Sequence, residues 1–318
     1  MEASSPAGFT VPPAEPFDAQ LQQLADNLPG GLALPAVDDP VKARDQFRRI
    51  TVALREQLPP ADLDRVEDIT VPGATGELKA RVYWPHPGDT GGTLLFVHGG
   101  GFVVGDIESY ELQVRTIAER TGMPTISVEY RLAPENPGPD AADDVFSIAQ
   151  WALANAGDFG GNPDKVIIAG DSAGGNLAAV AAQRVPGLAG QVLIYPTTDF
   201  SHDYPSVEQH ADGPVLTAVA GELFMKAYVG DSDPADPLLS PLLFEDFAAQ
   251  PPAVVVTTEY DILRDQGLAY AARLAESGVP VQHFHHPSLM HGFMGCFPFS
   301  DACDKALTQL CEAAKSLV

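Results

Sequence analysis

Residues 166–176 read Val-Ile-Ile-Ala-Gly-Asp-Ser-Ala-Gly-Gly-Asn. Val166–Ala169 is a short apolar run bounded by glycine, the pattern of a fully buried strand. From Ala173 to Arg184 the chain is rich in Ala and free of Pro, the pattern of a helix. Between them Gly170-Asp-Ser-Ala-Gly174 is a G-x-S-x-G sequence in the context that gives the motif meaning: strand, tight turn, helix. Such a turn forces Ser172 into a strained conformation. Side chains at Gly170 or Gly174 would collide with the neighbouring strand and helix. The Ser172 hydroxyl then stands at a helix N-terminus, where partial positive charge favours a developing anion. The plain alternative is an incidental serine in a Gly-rich turn.

Outward from this stretch the chain repeats the same grammar. Compact apolar runs at Thr93–Val97, Thr125–Val128, Gln191–Ile194, Ala253–Thr257 and Val281–His286 predict strands. Leu112–Arg120, Ala141–Ala156, Ile262–Ser277 and Ser300–Leu317 predict helices between and after them. Continuous apolar strands alternating with helices imply a mostly parallel sheet covered on both faces, an α/β fold. Val66–Val71 and Leu78–Trp84, separated by Pro-Gly and Thr-Gly turn signals, predict an antiparallel pair ahead of it. Two helices open the chain, Phe17–Leu28 and Pro40–Leu58. In the second, Val41, Phe47, Ile50, Leu54 and Leu58 share a stripe, and Pro59-Pro60 ends it. Thr197–Gln250 breaks the alternation, with one predicted helix at Val215–Tyr228. A connection of roughly fifty residues leaving the carboxyl end of a strand is placed to cover a site there. The expected organisation is N-terminal helices contributing to a cap (1–60), a first part of the catalytic core (61–196), a cap insertion (197–250) and a second part of the core (251–318).

A serine nucleophile needs a base, a carboxylate to orient it and donors for an oxyanion. His98-Gly-Gly-Gly101 follows the strand Thr93–Val97 and exposes consecutive backbone N–H groups. Those of Gly100 and Gly101, with that of Ala173, are the candidate oxyanion hole. The loop lacks both the ending of a P-loop and the G-x-G-x-x-G spacing. This topology orders its residues Ser, Asp/Glu, His. Asp261 falls just past the strand Ala253–Thr257, whereas Glu259 sits near the strand end and Asp265 one turn into the helix. Asp261 is therefore the candidate acid, with a helix N-cap as its structural alternative. His291, in the loop after the last strand, is the candidate base. His98 reads as a structural part of its loop. His283, His285 and His286 read as surface histidines of the last strand rather than metal ligands, because no Cys or carboxylate is spaced to complete a site.

The 318 residues are 45% hydrophobic, enough for a large core. A net charge of −25, from 43 acidic against 18 basic residues, argues against nucleic acid and anionic membranes as partners. Only 6 of the basic residues are Lys, as in salt-tolerant surfaces and in ordinary acidic proteins alike. Cys296, Cys303 and Cys311 form no disulfide framework and read as reduced core thiols. Met1–Pro16 lacks the basic and apolar regions of a secretory signal, and no apolar run is long enough to span a bilayer, so a cytoplasmic location is expected.

Beyond these residues, HGGGFVVGD (98–106), EYRLAPE (129–135), GDSAGGNL (170–177), LSPL (239–242), EYDILRDQG (259–267) and HGF (291–293) together resemble the hormone-sensitive-lipase-like (family IV) esterases of the α/β-hydrolase superfamily. The resemblance spans about residues 66–300. It implies an eight-stranded sheet with its second strand antiparallel, a helical cap, no cofactor, and hydrolysis of short-chain carboxylic esters through an acyl-enzyme. It also implies a homodimer formed through the edge of the last strand. Glu129, Asn136, Gly138 and Ile262 stand where that family more often has Asp, His, a bulky residue and Pro. The same three side chains serve amides, so an amidase or formamidase is the alternative enzyme. A non-catalytic small-molecule receptor on this fold is the alternative of another class, and it is expected to lack one of the three.

Overall fold

A computed structural model describes residues 9, 11–28, 31–34, 39–87 and 91–318. Its centre is one eight-stranded sheet in the order β1-β2-β4-β3-β5-β6-β7-β8. The strands are β1 (Arg65–Pro72), β2 (Glu77–Trp84), β3 (Thr93–Val97), β4 (Thr125–Val128), β5 (Val166–Asp171), β6 (Gly190–Ile194), β7 (Ala253–Tyr260) and β8 (Val281–Met290). Strand β2 runs antiparallel to both of its neighbours, and every pairing from β4 to β8 is parallel. The eight-stranded, mostly parallel sheet with an antiparallel second strand is thus as expected.

Every residue of β3, β4, β5 and β6 is buried, which is why these strands read as unbroken apolar runs rather than as alternation. The helices that cover them are α3 (Ile107–Thr121), α4 (Asp140–Asn155), α5 (Ala173–Arg184), α8 (Arg264–Glu276) and α9 (Asp301–Lys315). Helix α3 starts at Ile107, ahead of the expected Leu112, because Asp106 caps it. Asp106 Oδ1 accepts from Ser109 N–H at 2.7 Å, and Ser109 Oγ accepts from Asp106 N–H at 2.8 Å. Cys303 and Cys311 share the buried face of α9, and burial raises both thiols to about 12.

Two helices precede the sheet, α1 (Ala19–Asn27) and α2 (Pro40–Arg55), with Pro40 at the first turn of the second. The stripe of α2 is not buried in the core. Val41 is 65% and Ile50 49% exposed, and Ala43 is the one buried residue of this helix. Phe47, Ile50 and Leu54 face a cavity instead, which accounts for an apolar stripe without full burial. The 197–250 stretch holds α6 (Pro205–Gln209) and α7 (Ala218–Val229). Helix α6 went unpredicted because a single short turn is too brief to show a helical period.

One expectation is corrected at β8. His283, His285 and His286 are not surface residues. The chain ahead of α1 lies over this strand: Glu15 and Asp18 N–H groups donate to Pro287 O and Ser288 O at 3.0 and 3.1 Å, and Phe9 packs on His283 with ring centroids 5.3 Å apart. Burial lowers His283 and His286 to about 4. Thr257 Oγ1 meets His283 Nε2 at 2.9 Å and His285 Nδ1 at 3.0 Å.

Candidate active site

Strand β5 passes to α5 through a single residue. Asp171 ends the strand and Ala173 begins the helix, so Ser172 must turn the chain alone, at φ 54° and ψ −116°. A non-glycine residue held there stores roughly 1–3 kcal/mol. Its surroundings enforce the turn. A Cβ on Gly170 would run into Gly174 O, and one on Gly174 would run into Val97 O. Both close approaches therefore require glycine. Ser172 N–H is fixed by Ile194 O at 2.8 Å.

Parallel pairing brings the other two side chains together. Tyr260 and Met290 are paired at the ends of β7 and β8, and the first residues past the strands are Asp261 and His291. They leave the sheet side by side, with His291 N–H donating to Tyr260 O at 3.3 Å. Asp261 Oδ2 lies 2.9 Å from His291 Nδ1, and His291 Nε2 lies 3.0 Å from Ser172 Oγ. The other carboxylate oxygen, Asp261 Oδ1, accepts from Leu263 N–H at 2.8 Å and orients the acid. This bond closes the local loop. Asp261 does not cap α8, whose N-cap is Leu263 without a side-chain bond. All three side chains are buried. A carboxylate at Nδ1 keeps the ring proton there and leaves the Nε2 lone pair facing the hydroxyl.

The loop after β3 faces the same point. Gly100 and Gly101 have φ of 108° and 59°. Glycine takes such angles without strain. A Cβ on Gly101 would also run into the Phe224 ring of α7. Among the described residues no protein acceptor takes the amide hydrogens of Gly100, Gly101 or Ala173. All three residues line one cavity with Ser172 and His291. His98 is structural: its Nδ1 bonds Gly99 O at 2.7 Å, its ring stacks on Tyr130 at 4.4 Å, and burial lowers it to about 4.

Sequence reasoning overlooked Asp171. This buried carboxylate accepts from Gly99 N–H at 2.8 Å and from Tyr110 OH at 3.2 Å, and so ties the glycine loop to the serine turn. Burial raises it to about 6, against the pull of Gly99 N–H. Asn176 was likewise overlooked. Its Nδ2 donates to Thr197 O at 3.0 Å and Leu239 O at 2.7 Å, joining α5 to the 197–250 stretch. Both flank the serine within the quoted stretch, and a polar residue one step before or four steps after it was the available signal. The rejected acids have other partners. Asp265 accepts from Ser206 N–H at 2.9 Å, and Glu259 pairs with Arg264 at 2.7 Å.

The cavity measures about 260 Å³. Its walls come from α2 (Phe47, Leu54), α7 (Phe224, Met225) and the turn after His291 (Met294, Cys296). Cys296 was expected in the core and instead lines this cavity, its thiol raised to about 12 by burial. Among the described residues no three His, Cys, Asp or Glu side chains are grouped as metal ligands, and no helix is long and apolar enough to cross a membrane.

The chain also matches known proteins. A family model described as alpha/beta hydrolase fold matches residues 94–295. The carboxylic ester hydrolase LipN of Mycobacterium tuberculosis is 37% identical over 298 residues, covering 90% of this chain and 78% of that protein. The ethyl acetate hydrolase of Pseudomonas putida is 35% identical over 285 residues, covering 86% of this chain and 88% of its own. Among solved structures, the hyperthermophilic esterase of Pyrobaculum calidifontis superposes with a TM-score of 0.87 at 35% identity, covering 95% of this chain and 99% of that one.

Proposed function

Because the chain belongs to the α/β-hydrolase-fold carboxylesterases, we propose that it hydrolyses short-chain esters through an acyl-enzyme on Ser172, with His291 as base and Asp261 as its orienting acid. The observation that carries this reading is the unbroken chain from Asp261 Oδ2 through His291 to Ser172 Oγ, with contacts of 2.9 and 3.0 Å. His291 Nε2 takes the hydroxyl proton while Ser172 Oγ bonds the ester carbonyl carbon. The oxygen that gains the negative charge is held by the N–H groups of Gly100, Gly101 and Ala173. The tetrahedral adduct collapses, the carbon–oxygen bond to the alcohol breaks, and His291 gives its proton to the departing alcohol. Water then attacks the acyl-enzyme with His291 as base, the Ser172 ester bond breaks, His291 returns the proton to Ser172 Oγ, and the acid leaves. Asp261 keeps the tautomer and stabilises the imidazolium. Backbone donors fixed before the reaction are worth roughly 10²–10³ in rate each.

The short-chain preference rests on the cavity of about 260 Å³, closed by apolar side chains of α2 and α7. It is supported by the relative named for ethyl acetate hydrolysis. In this reading the N-terminal helices and the 197–250 stretch form a cap over the carboxyl ends of the strands. Kinetics on p-nitrophenyl esters of increasing acyl length test it. The expected optimum falls between acetate and octanoate, and Ser172→Ala abolishes turnover at every length while keeping the fold. A palmitate optimum contradicts the capped pocket, and near-normal activity of the variant contradicts the nucleophile.

A further inference from the structure

The glycine loop after β3 carries strain beyond its glycines. Gly100 and Gly101 take positive φ freely, but the next residue, Phe102, stands at φ 64°. A non-glycine residue persists there only where its surroundings over-determine it. Backbone bonds fix the chain around it. Phe102 O accepts from Ala133 N–H at 2.9 Å, and Gly100 O accepts from Val103 and Val104 N–H at 3.1 and 2.9 Å. The ring is held separately. It lies flat on the Tyr228 ring of α7, with centroids 3.6 Å apart and planes 5° apart. Tyr228 is itself fully buried and fixed: its carbonyl oxygen accepts from Gly138 N–H at 2.7 Å, and a Cβ on Gly138 would crowd its ring. Four residues earlier, on the same face of α7, Phe224 packs on Gly101. Helix α7 thus grips two consecutive residues of the loop. Phe224 also lines the cavity, whereas Tyr228 does not.

Oxyanion donors are effective when they are aimed before the reaction begins. Relaxing Phe102 toward negative φ redirects the peptide before it, and Gly101 with it. We infer that Tyr228 is a positioning residue for the oxyanion hole: its ring holds Phe102 in the turn that aims the Gly100 and Gly101 N–H groups, without touching substrate. This rests on the serine-esterase reading above and adds the residue on which the aim of two donors depends. The Tyr228 hydroxyl is buried without a hydrogen-bond partner, so the ring alone carries the effect.

The test is kcat per active site, with sites counted by fluorophosphonate labelling of Ser172 carried to completion, so that misfolded enzyme is not counted. On p-nitrophenyl butyrate, Tyr228→Leu and Tyr228→Met should each lose roughly tenfold or more in kcat with KM held within about twofold, a fraction of the 10²–10³ that a lost donor costs. Tyr228→Phe keeps the ring and should restore the wild-type rate. Affinity for a trifluoromethyl ketone should fall in step with kcat/KM. In that adduct Ser172 Oγ bonds the carbonyl carbon, His291 takes the hydroxyl proton, and the carbonyl oxygen becomes the oxyanion. Phe102→Leu removes the other half of the stack and should lose a similar factor, and adding Tyr228→Leu to it should cost little more. Wild-type kcat per site in the Leu and Met variants, a change confined to KM, or losses that multiply in the double variant overturn the inference while leaving the hydrolase reading intact. Absence of turnover by the wild type on every ester overturns both.

Discussion

Ser172 holds its strained backbone because Gly170, Gly174 and Ile194 O leave it no other path. Asp171, directly before it, has a different cost. Burial lifts its carboxyl to about 6 from an ordinary 3.8, so the folded protein keeps a proton there that the unfolded chain releases near pH 4. The sign follows: the stability owed to this group is greatest below pH 4 and falls as pH rises through 6, by about 3 kcal/mol at full effect. Asp171→Asn retains an acceptor for Gly99 N–H and removes the ionisation. Urea unfolding of both proteins across this range should show the wild type losing ground to the variant as pH rises. A constant or widening advantage for the wild type contradicts the assignment. At this scale the sequence displayed the proposed reacting groups, because motif spacing fixes where Ser172, Asp261 and His291 fall relative to strand ends. It concealed Asp171, whose role depends on Gly99, a residue 72 positions away.

The elements explain how these side chains meet. Strands β7 and β8 slip register after Thr258 and end on the Tyr260–Met290 pair, so adjacent strands deliver Asp261 and His291 together. Helix α6 then fastens the acid loop from outside. Ser206 Oγ donates to Ile262 O at 2.8 Å, Arg264 Nη2 donates to Gln209 Oε1 at 2.6 Å, and Arg264 Nη1 donates to Glu259 Oε1 at 2.7 Å. Bonds from His210, His285 and Arg264 hold Glu259 well below the usual carboxylate range. Arg264→Ala should lower stability by about 2–3 kcal/mol, as expected when several bonds from one largely buried charge are lost. Arg264→Lys should restore little, because a single ammonium lacks the planar fork that reaches α6, Glu259 and Asp265 at once. Thermal unfolding checks both, and a lysine variant as stable as the wild type would contradict the latch. Strand positions were readable from their buried apolar runs. The direction of α2 was not, since an apolar stripe looks the same whether it meets a core or a substrate cavity.

For the whole molecule, 43 acidic against 18 basic residues leave a charge of −25 to be folded into one body. Self-repulsion at that density opposes compaction, and salt relieves it. Exposed pairs such as Lys42–Asp39 and Arg49–Asp45 weaken in salt as well, but each contributes little. Repulsion therefore governs the outcome. Raising NaCl from about 0.01 to about 0.15 M, where the Debye length shrinks from about 30 to about 8 Å, should raise the thermal midpoint. A midpoint that falls over this range contradicts the balance drawn here. Composition alone made this legible, whereas the covering of β8 by the chain ahead of α1 depended on contacts between distant segments, such as Tyr260 OH donating to Glu15 O at 2.7 Å.

The proposed function turns on acylation of Ser172. Intact-protein mass spectrometry after rapid mixing with p-nitrophenyl butyrate and acid quench tests it most directly, with peptide mapping to place the adduct. The expected result is one butyryl group per chain, carried on Ser172, and none on Ser172→Ala. An acyl group on any other residue, or steady turnover by the variant without an adduct, would contradict it.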